Sequence, residues 1–199
     1  MQYNLSNAKD GTVRLFRFAQ ICFGLAFVLS ACIFTTKTAE QQSNVIPAAT
    51  FVSDWFSMEM TDVQTGKTFT MNDYAGKVVL LETMAIWCPN CIVQATQVKK
   101  LHKALGNPDD LISVTLDVDS NENEADLKEY ASSYGLDWHF AVAPLLVERA
   151  LVNLYSAEYL NPPLSPMLII DRKGNVHQLK YGIKDVETLQ KIVEPYLEK

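Results

Sequence analysis

Residues 77–91 read KVVLLETMAIWCPNC, and the fold turns on how this stretch is understood. Val78 to Ile86 is an apolar run broken only by Glu82 and Thr83, the composition of a strand buried on both faces. The run leads through Trp87 into Cys88-Pro-Asn-Cys91. Beyond it, Ile92, Val93, Ala95, Val98, Leu101 and Leu105 recur at helical spacing until Gly106 and Pro108 close the helix. The two cysteines therefore fall where a buried strand hands over to a helix. In open α/β sheets that carboxyl edge is where sites form.

The pattern extends outward in both directions. Upstream, FSMEMTDVQTGKTFTMNDYAGK alternates around Thr65-Gly66, which predicts a β-hairpin. Downstream, LISVTLDVD (Leu111 to Asp119) is a second buried strand. Ser120 or Asn121 is the expected cap of a helix running to about Tyr134, with Gly135 as its stop. WHFAVA reads as a short strand, and Pro144 to about Ala157 as a helix. PMLIID and GNVHQLKYG read as two strands turned at Lys173-Gly174. Val186, Leu189, Ile192, Val193 and Tyr196 put an apolar face on a final helix. Alternating strands and helices with a closing hairpin imply an α/β fold, a central mixed β-sheet flanked by helices, with an N-terminal β-hairpin extension.

The chain has 199 residues, 48% of them hydrophobic and 20% charged, which suits one globular domain with additions. A net charge of -6 argues against nucleic acid as a partner, because no basic stripe is there to neutralise phosphates. The additions lie at the N-terminus. Lys9, Arg14 and Arg17 precede the apolar run Phe18 to Leu29, the layout of a signal peptide over residues 1–31. It ends in Leu29-Ser30-Ala31-Cys32, which resembles the bacterial lipobox. That resemblance implies cleavage before Cys32 and a diacylglycerol on its thiol. An uncleaved anchoring helix is the competing reading, since Phe18 to Phe34 is nearly long enough to span a bilayer. Both readings place the rest of the protein outside the cytoplasmic membrane and tethered to it. Residues 32–50 are polar for most of their length and form the expected lipidated, flexible tether, with a reach on the order of 20 Å. The domain itself is expected over 51–199.

This layout alters the cysteine arithmetic. The chain has four cysteines. Cys22 falls in the discarded run and Cys32 carries lipid, so only Cys88 and Cys91 remain in the exported domain. A bridge across two intervening residues closes too small a loop to constrain the unfolded chain much. Its value lies in its chemistry. Zinc would need two further ligands, and there is no second cysteine pair; His102, His139 and His177 are scattered. No metal and no organic cofactor is expected beyond the redox-active disulfide Cys88–Cys91. With Cys88 at the first position of a helix, unpaired N–H groups and the positive dipole end favour its thiolate. Pro89 sacrifices no hydrogen bond there. Cys91, one turn on and shielded, is the resolving thiol for a mixed disulfide on Cys88.

KVVLLETMAIWCPNC resembles the strand-to-helix junction of thioredoxin-fold proteins. The preceding hairpin sequence is similar to that of their membrane-anchored branch, the TlpA/ResA-like thiol-disulfide oxidoreductases. The likeness runs from about Phe51 to the C-terminus. It implies a thioredoxin-like fold and disulfide exchange with client proteins, such as apocytochrome c or copper-site cysteines, with electrons from a membrane donor of the thiol-reducing type. Glu82 stands where the family carries a buried acid. Its apolar neighbours imply a raised pKa suited to taking the Cys91 proton. Pro166, after Ser165, stands where the family has its cis-proline, facing the dithiol, and Ser165 is expected to offer backbone pairing to a substrate segment. Trp87, Pro89 and Asn90 complete the expected substrate-binding set, although Trp87 fits packing equally well. His102, in KKLHK, is expected on a solvated helix face.

Direction rests on Asn90. Strong oxidants of this fold carry a histidine beside the second cysteine, which stabilises the thiolate; Asn90 is uncharged, so the couple should be reducing. The rival from another class is copper delivery. Residues 113–143 are similar to the corresponding region of Sco copper chaperones. That family has three residues between its cysteines and a histidine in the loop before the LIID-type strand. Here there are two residues, and NPPLSPM contains no histidine.

Overall fold

The computed structural model describes residues 54–198. The expected signal peptide, Cys32 and the tether lie outside the described residues. Within them the order of elements follows the sequence pattern. A hairpin of β1 (Met60–Thr61) and β2 (Thr68–Phe69) precedes β3 (Val78–Met84) and α1 (Pro89–Ala104). Then come β4 (Leu111–Asp117), α2 (Glu124–Ser133), β5 (His139–Val142) and α3 (Leu145–Leu154). The chain closes with β6 (Met167–Ile170), β7 (Val176–Gln178) and α4 (Val186–Leu197).

The main sheet has the order β5-β4-β3-β6-β7. Strands β3, β4 and β5 are parallel, while β6 and β7 join antiparallel, so the sheet is mixed as expected. All seven residues of β3 are buried, because helices and the hairpin cover both faces. Val78, Leu80 and Met84 face a core shared with α1, α2 and α4. Val79 and Leu81 face the opposite core, with Trp55, Phe69, Val147 and Tyr159. Glu82 therefore projects into the first core by alternation along the strand. This is a thioredoxin-like α/β fold.

Local chemistry moved several boundaries. The hairpin is short because the Asp62 carboxylate accepts from Gln64 N and Thr65 Oγ1, drawing residues 62–65 into a turn instead of a ladder. Gly66 then takes φ 69°, a conformation that glycine adopts without steric cost. The cap of α2 is Asn123, whose Oδ1 accepts from Ala125 N and Asp126 N, not Ser120 or Asn121. Asp119 holds the backbone and side-chain amides of Asn121, which commits that residue to the preceding turn. The third helix stops at Leu154, and Ala157–Leu160 and Pro162–Leu164 are separate 3₁₀ turns.

Candidate active site

The site is assembled at the carboxyl end of β3. After Met84 the chain turns through Ala85, whose carbonyl accepts from Cys88 N at 3.1 Å. Cys88 caps α1 and Pro89 takes the first helical position, one residue later than expected. The cap is made by sulfur: Cys91 N donates to Cys88 Sγ at 3.2 Å. A helix N-terminus that directs an N–H at this sulfur favours its anion. Cys88 and Cys91 are joined as a disulfide with Cα atoms 5.3 Å apart. Both are buried, at 1% and 2% exposure, while their neighbours Trp87 and Pro89 are exposed. Trp87 is 58% exposed and its indole N–H donates to Asp119 Oδ2 at 2.6 Å, which fixes the ring beside the pair.

Opposite the cysteines lies the turn before β6. Asn90 Nδ2 donates to the Pro163 carbonyl at 2.8 Å, and Cys91 Sγ lies 3.5 Å from the Pro162 carbonyl oxygen. In the dithiol state that oxygen can accept the Cys91 S–H. The turn is held from beneath by Tyr159, whose hydroxyl donates to Met167 O and whose carbonyl accepts from Thr83 Oγ1. The cis peptide expected at Pro166 is not found: no cis bond occurs among the described residues. Ser165 instead adopts the left-handed conformation, φ 47° and ψ 57°, and reverses the chain by that route. Ser165 is buried, and its amide is already donated to Pro162 O at 2.8 Å. Pro166 is buried too, and its carbonyl accepts from Thr83 N.

Glu82, on the strand that leads into the pair, is 4% exposed. Burial pushes its pKa up to about 8, with the charge of Lys184 pulling the other way. Its Oε2 has no hydrogen-bond partner. Lys184 is itself buried, and desolvation lowers its pKa to about 8 against the pull of Glu82. Gln94, one turn beyond Cys91 on α1, places it there. The Gln94 amide donates to Lys184 O at 3.2 Å and accepts from Lys184 N at 2.7 Å. A second acidic group closes the far side. Asp117 ends β4 opposite Met84, is fully buried, and has its pKa raised to about 7 by desolvation, with Glu122 nearby adding to the rise. Glu122 Oε2 accepts from Ile86 N at 2.7 Å, tying the acidic loop to the turn before Cys88.

The structure places Trp87, the cysteine pair and Asn90 at one strand-to-helix junction with Glu82 on the preceding strand; Gln94, Asp117, Glu122 and Lys184 were not among the residues expected from the sequence. Only Asp117 carried a signal: at the end of an alternating strand it shares a face with Thr115, the partner of Glu82. The histidines are elsewhere. His139 sits with Asp62 and the rings of Phe69 and Tyr74, and His177 with Asp171 and Tyr196. His102 is not solvated as expected. It stacks on Trp138, makes a 2.7 Å hydrogen bond with Ser113 Oγ, and is held below its ordinary pKa by burial.

The Redoxin family model matches residues 41–194, which include the whole of this site. The chain belongs to the Redoxin family. A thioredoxin-like protein of Bacillus subtilis (strain 168), YneN, is 25% identical over 117 residues, 59% of this chain and 64% of that protein. The match thus spans just under two thirds of the relative's length. Among solved structures, a thioredoxin-family thiol:disulfide interchange protein from Chlorobium tepidum TLS superposes with a TM-score of 0.58 at 20% identity. It covers 71% of this chain and 93% of its own. A SCO1/SenC family lipoprotein from Bacillus anthracis str. Ames gives 0.57 at 20% identity, with the same coverage. At such identities these two share the fold of this chain.

Proposed function

We propose that this Redoxin-family chain is an extracytoplasmic thiol-disulfide oxidoreductase of the TlpA/ResA-like type that reduces disulfides in client proteins. The observation that carries this is the Cys88–Cys91 disulfide at the N-terminus of α1, with the buried carboxyl of Glu82 on β3, the strand that leads into it. In the reduced protein the Cys88 thiolate attacks a client disulfide, forming a mixed disulfide and expelling one client thiolate. Cys91 gives its proton to Glu82 and attacks Cys88 Sγ. The second client thiolate then leaves and takes up a proton. Two electrons pass from the protein dithiol to the client, and an external dithiol on a membrane donor restores Cys88 and Cys91.

Reduction rather than oxidation follows from Asn90, a neutral side chain turned toward Pro163 rather than a cation beside the thiolate. Residues 1–31 serve as the signal peptide and Cys32 as the lipidated anchor, with 32–50 as the tether. Trp87, Pro89 and Asn90 border the entry for a client segment. Copper delivery is the weaker reading, because none of the three histidines stands beside the cysteine pair.

The test is trapping. Cys91→Ala in the full chain, expressed in its host compartment, should accumulate mixed disulfides through Cys88, and those adducts identify the clients. Absence of any reducible adduct, with Cys88 still titrating as a free thiol, would overturn the assignment. Equilibration with glutathione fixes direction: a couple well to the reducing side is expected, and an oxidising one reverses it.

A further inference from the structure

Glu82 faces a difficulty as a base. It is sealed from solvent, and with a pKa near 8 it already holds a proton at pH 7. It can take the Cys91 proton only after losing its own. Lys184, the cation beside it, has its Nζ engaged by the Gly182 carbonyl at 2.8 Å. Another exit is needed.

Four buried side-chain polar atoms among the described residues have no partner, and three of them belong to this region: Glu82 Oε2, Asp117 Oδ2 and Tyr130 Oη. Their placement is not scattered. Glu82 pairs with Thr115 across β3 and β4, so Asp117, two residues on, projects from the same face of the sheet. Tyr130 comes down on that face from α2, buried in the same core as Met84 and Cys91. Its phenol lies within the electrostatic reach of both Glu82 and Glu122, with Tyr134 also near. Glu122 is only partly buried; its carboxylate accepts from Ile86 N and lies beside Asp117, whose pKa its charge raises. Buried polar groups that face one another unpartnered are where proteins enclose bridging water.

We infer that Tyr130 and the Asp117–Glu122 carboxyl pair form the proton path between Glu82 and solvent. The inference rests on the reading of Glu82 as the base for Cys91. Protonated Glu82 gives its proton toward the Tyr130 oxygen while the phenol passes its own to the Glu122 carboxylate, through enclosed water where the gap requires it. Glu122 releases that proton to solvent, and Asp117 shares its load. Glu82 is left ionised, Tyr130 unchanged, and no electrons move. Tyr130 and Glu122 touch neither sulfur; they are positioning and relay groups. The titratable groups that act on Glu82 are Lys184, from the loop before α4, and Tyr130, from α2, with Asp117 of β4 on the same face of the sheet.

The experiment follows oxidation of the reduced full-length protein by glutathione disulfide, resolving adduct formation on Cys88 from the release of the second glutathione. Tyr130→Phe and Glu122→Gln should slow the second step about tenfold at pH 6 to 7, with the deficit vanishing above about pH 8, where Glu82 is already ionised. The first step should be unchanged. A slowing that is equal at all pH values marks a structural role and overturns the relay. Glu82→Gln separates the two readings. If it slows the second step while both relay variants match wild type, the base stands and the path falls. If Glu82→Gln leaves the pH profile intact, both fall. Glu122→Gln, at a partly exposed position, keeps the test valid if Tyr130→Phe perturbs the core.

Discussion

Asn90 and Pro163 are joined across the mouth of the site, the Asn90 amide donating to the Pro163 carbonyl at 2.8 Å. The bond commits the Asn90 amide to Pro163 and stitches α1 to the turn before β6. Asn90 carries no charge, and its amide donor is held on Pro163 O, so it offers a thiolate on Cys88 little support.

Asn90→His should therefore raise the reduction potential. A tenfold change in the equilibrium constant of this two-electron couple corresponds to about 30 mV, and a shift of at least that size is expected. Equilibration with glutathione at fixed pH measures it. A potential that stays put or falls would show that the residue at position 90 does not set it.

Glu82→Gln should lengthen the life of the Cys88 mixed disulfide. Loss of a general base typically costs about 10²–10⁴ in rate. In wild type the resolving step should quicken as pH rises toward about 8, following ionisation of Glu82. In the variant this rise should be missing, leaving only the later ionisation of Cys91 itself. Acid-quenched samples resolved by mass provide the measurement.

Asp117→Asn should stabilise the protein at neutral and alkaline pH but not in acid. Burial raises the folded-state pKa of Asp117 to about 7, above its value in the unfolded chain. The folded protein thus holds this proton more tightly than the unfolded chain does. The associated stability is complete below about pH 4 and is lost as pH climbs through 7. Asparagine escapes that loss and keeps the Oδ1 that accepts from Asp119 N. Urea unfolding should show a gain of roughly 1–3 kcal/mol at pH 8 that shrinks toward zero near pH 4. A gap independent of pH would contradict the assignment.

Tyr159→Phe should cost about 1 kcal/mol, since the fully buried hydroxyl donates to Met167 O at 3.0 Å and its loss leaves that carbonyl with Leu179 N as its remaining donor. Thr83→Val should cost a similar amount by freeing Tyr159 O. Both loosen the turn that faces the cysteines, so exchange of the Gly182 amide, which donates to Leu164 O, should accelerate alongside the loss of stability. Unchanged exchange there would mean that Tyr159 holds only the core.

Period and punctuation carried most of the fold. The continuous run at Val78–Met84 read as a strand covered on both sides, and the residues after Cys88 as a helix, and both were found. What misled was competition by side chains for backbone. Asp62 and Asp119 each captured nearby amides and shifted the hairpin and the cap of α2. Such captures depend on where a loop lies after folding. His102 was misjudged for a related reason: KKLHK is polar by composition, but its ring meets Trp138 from the strand region far along the chain.

The sequence by itself determined the order of elements, the place of the dithiol at a strand-to-helix junction, and the burial of Glu82 among apolar neighbours. These depend on hydrophobic period and on residues adjacent in the chain, where geometry is local. Only the tertiary structure decided what surrounds Glu82. Lys184 arrives from just before the last helix, held by Gln94, while Tyr130 and Asp117 arrive from α2 and β4. It also decided that Ser165 reverses the chain in a left-handed conformation with Pro166 in trans. Each of these joins residues tens of positions apart, and packing of the two faces of one sheet brings them together.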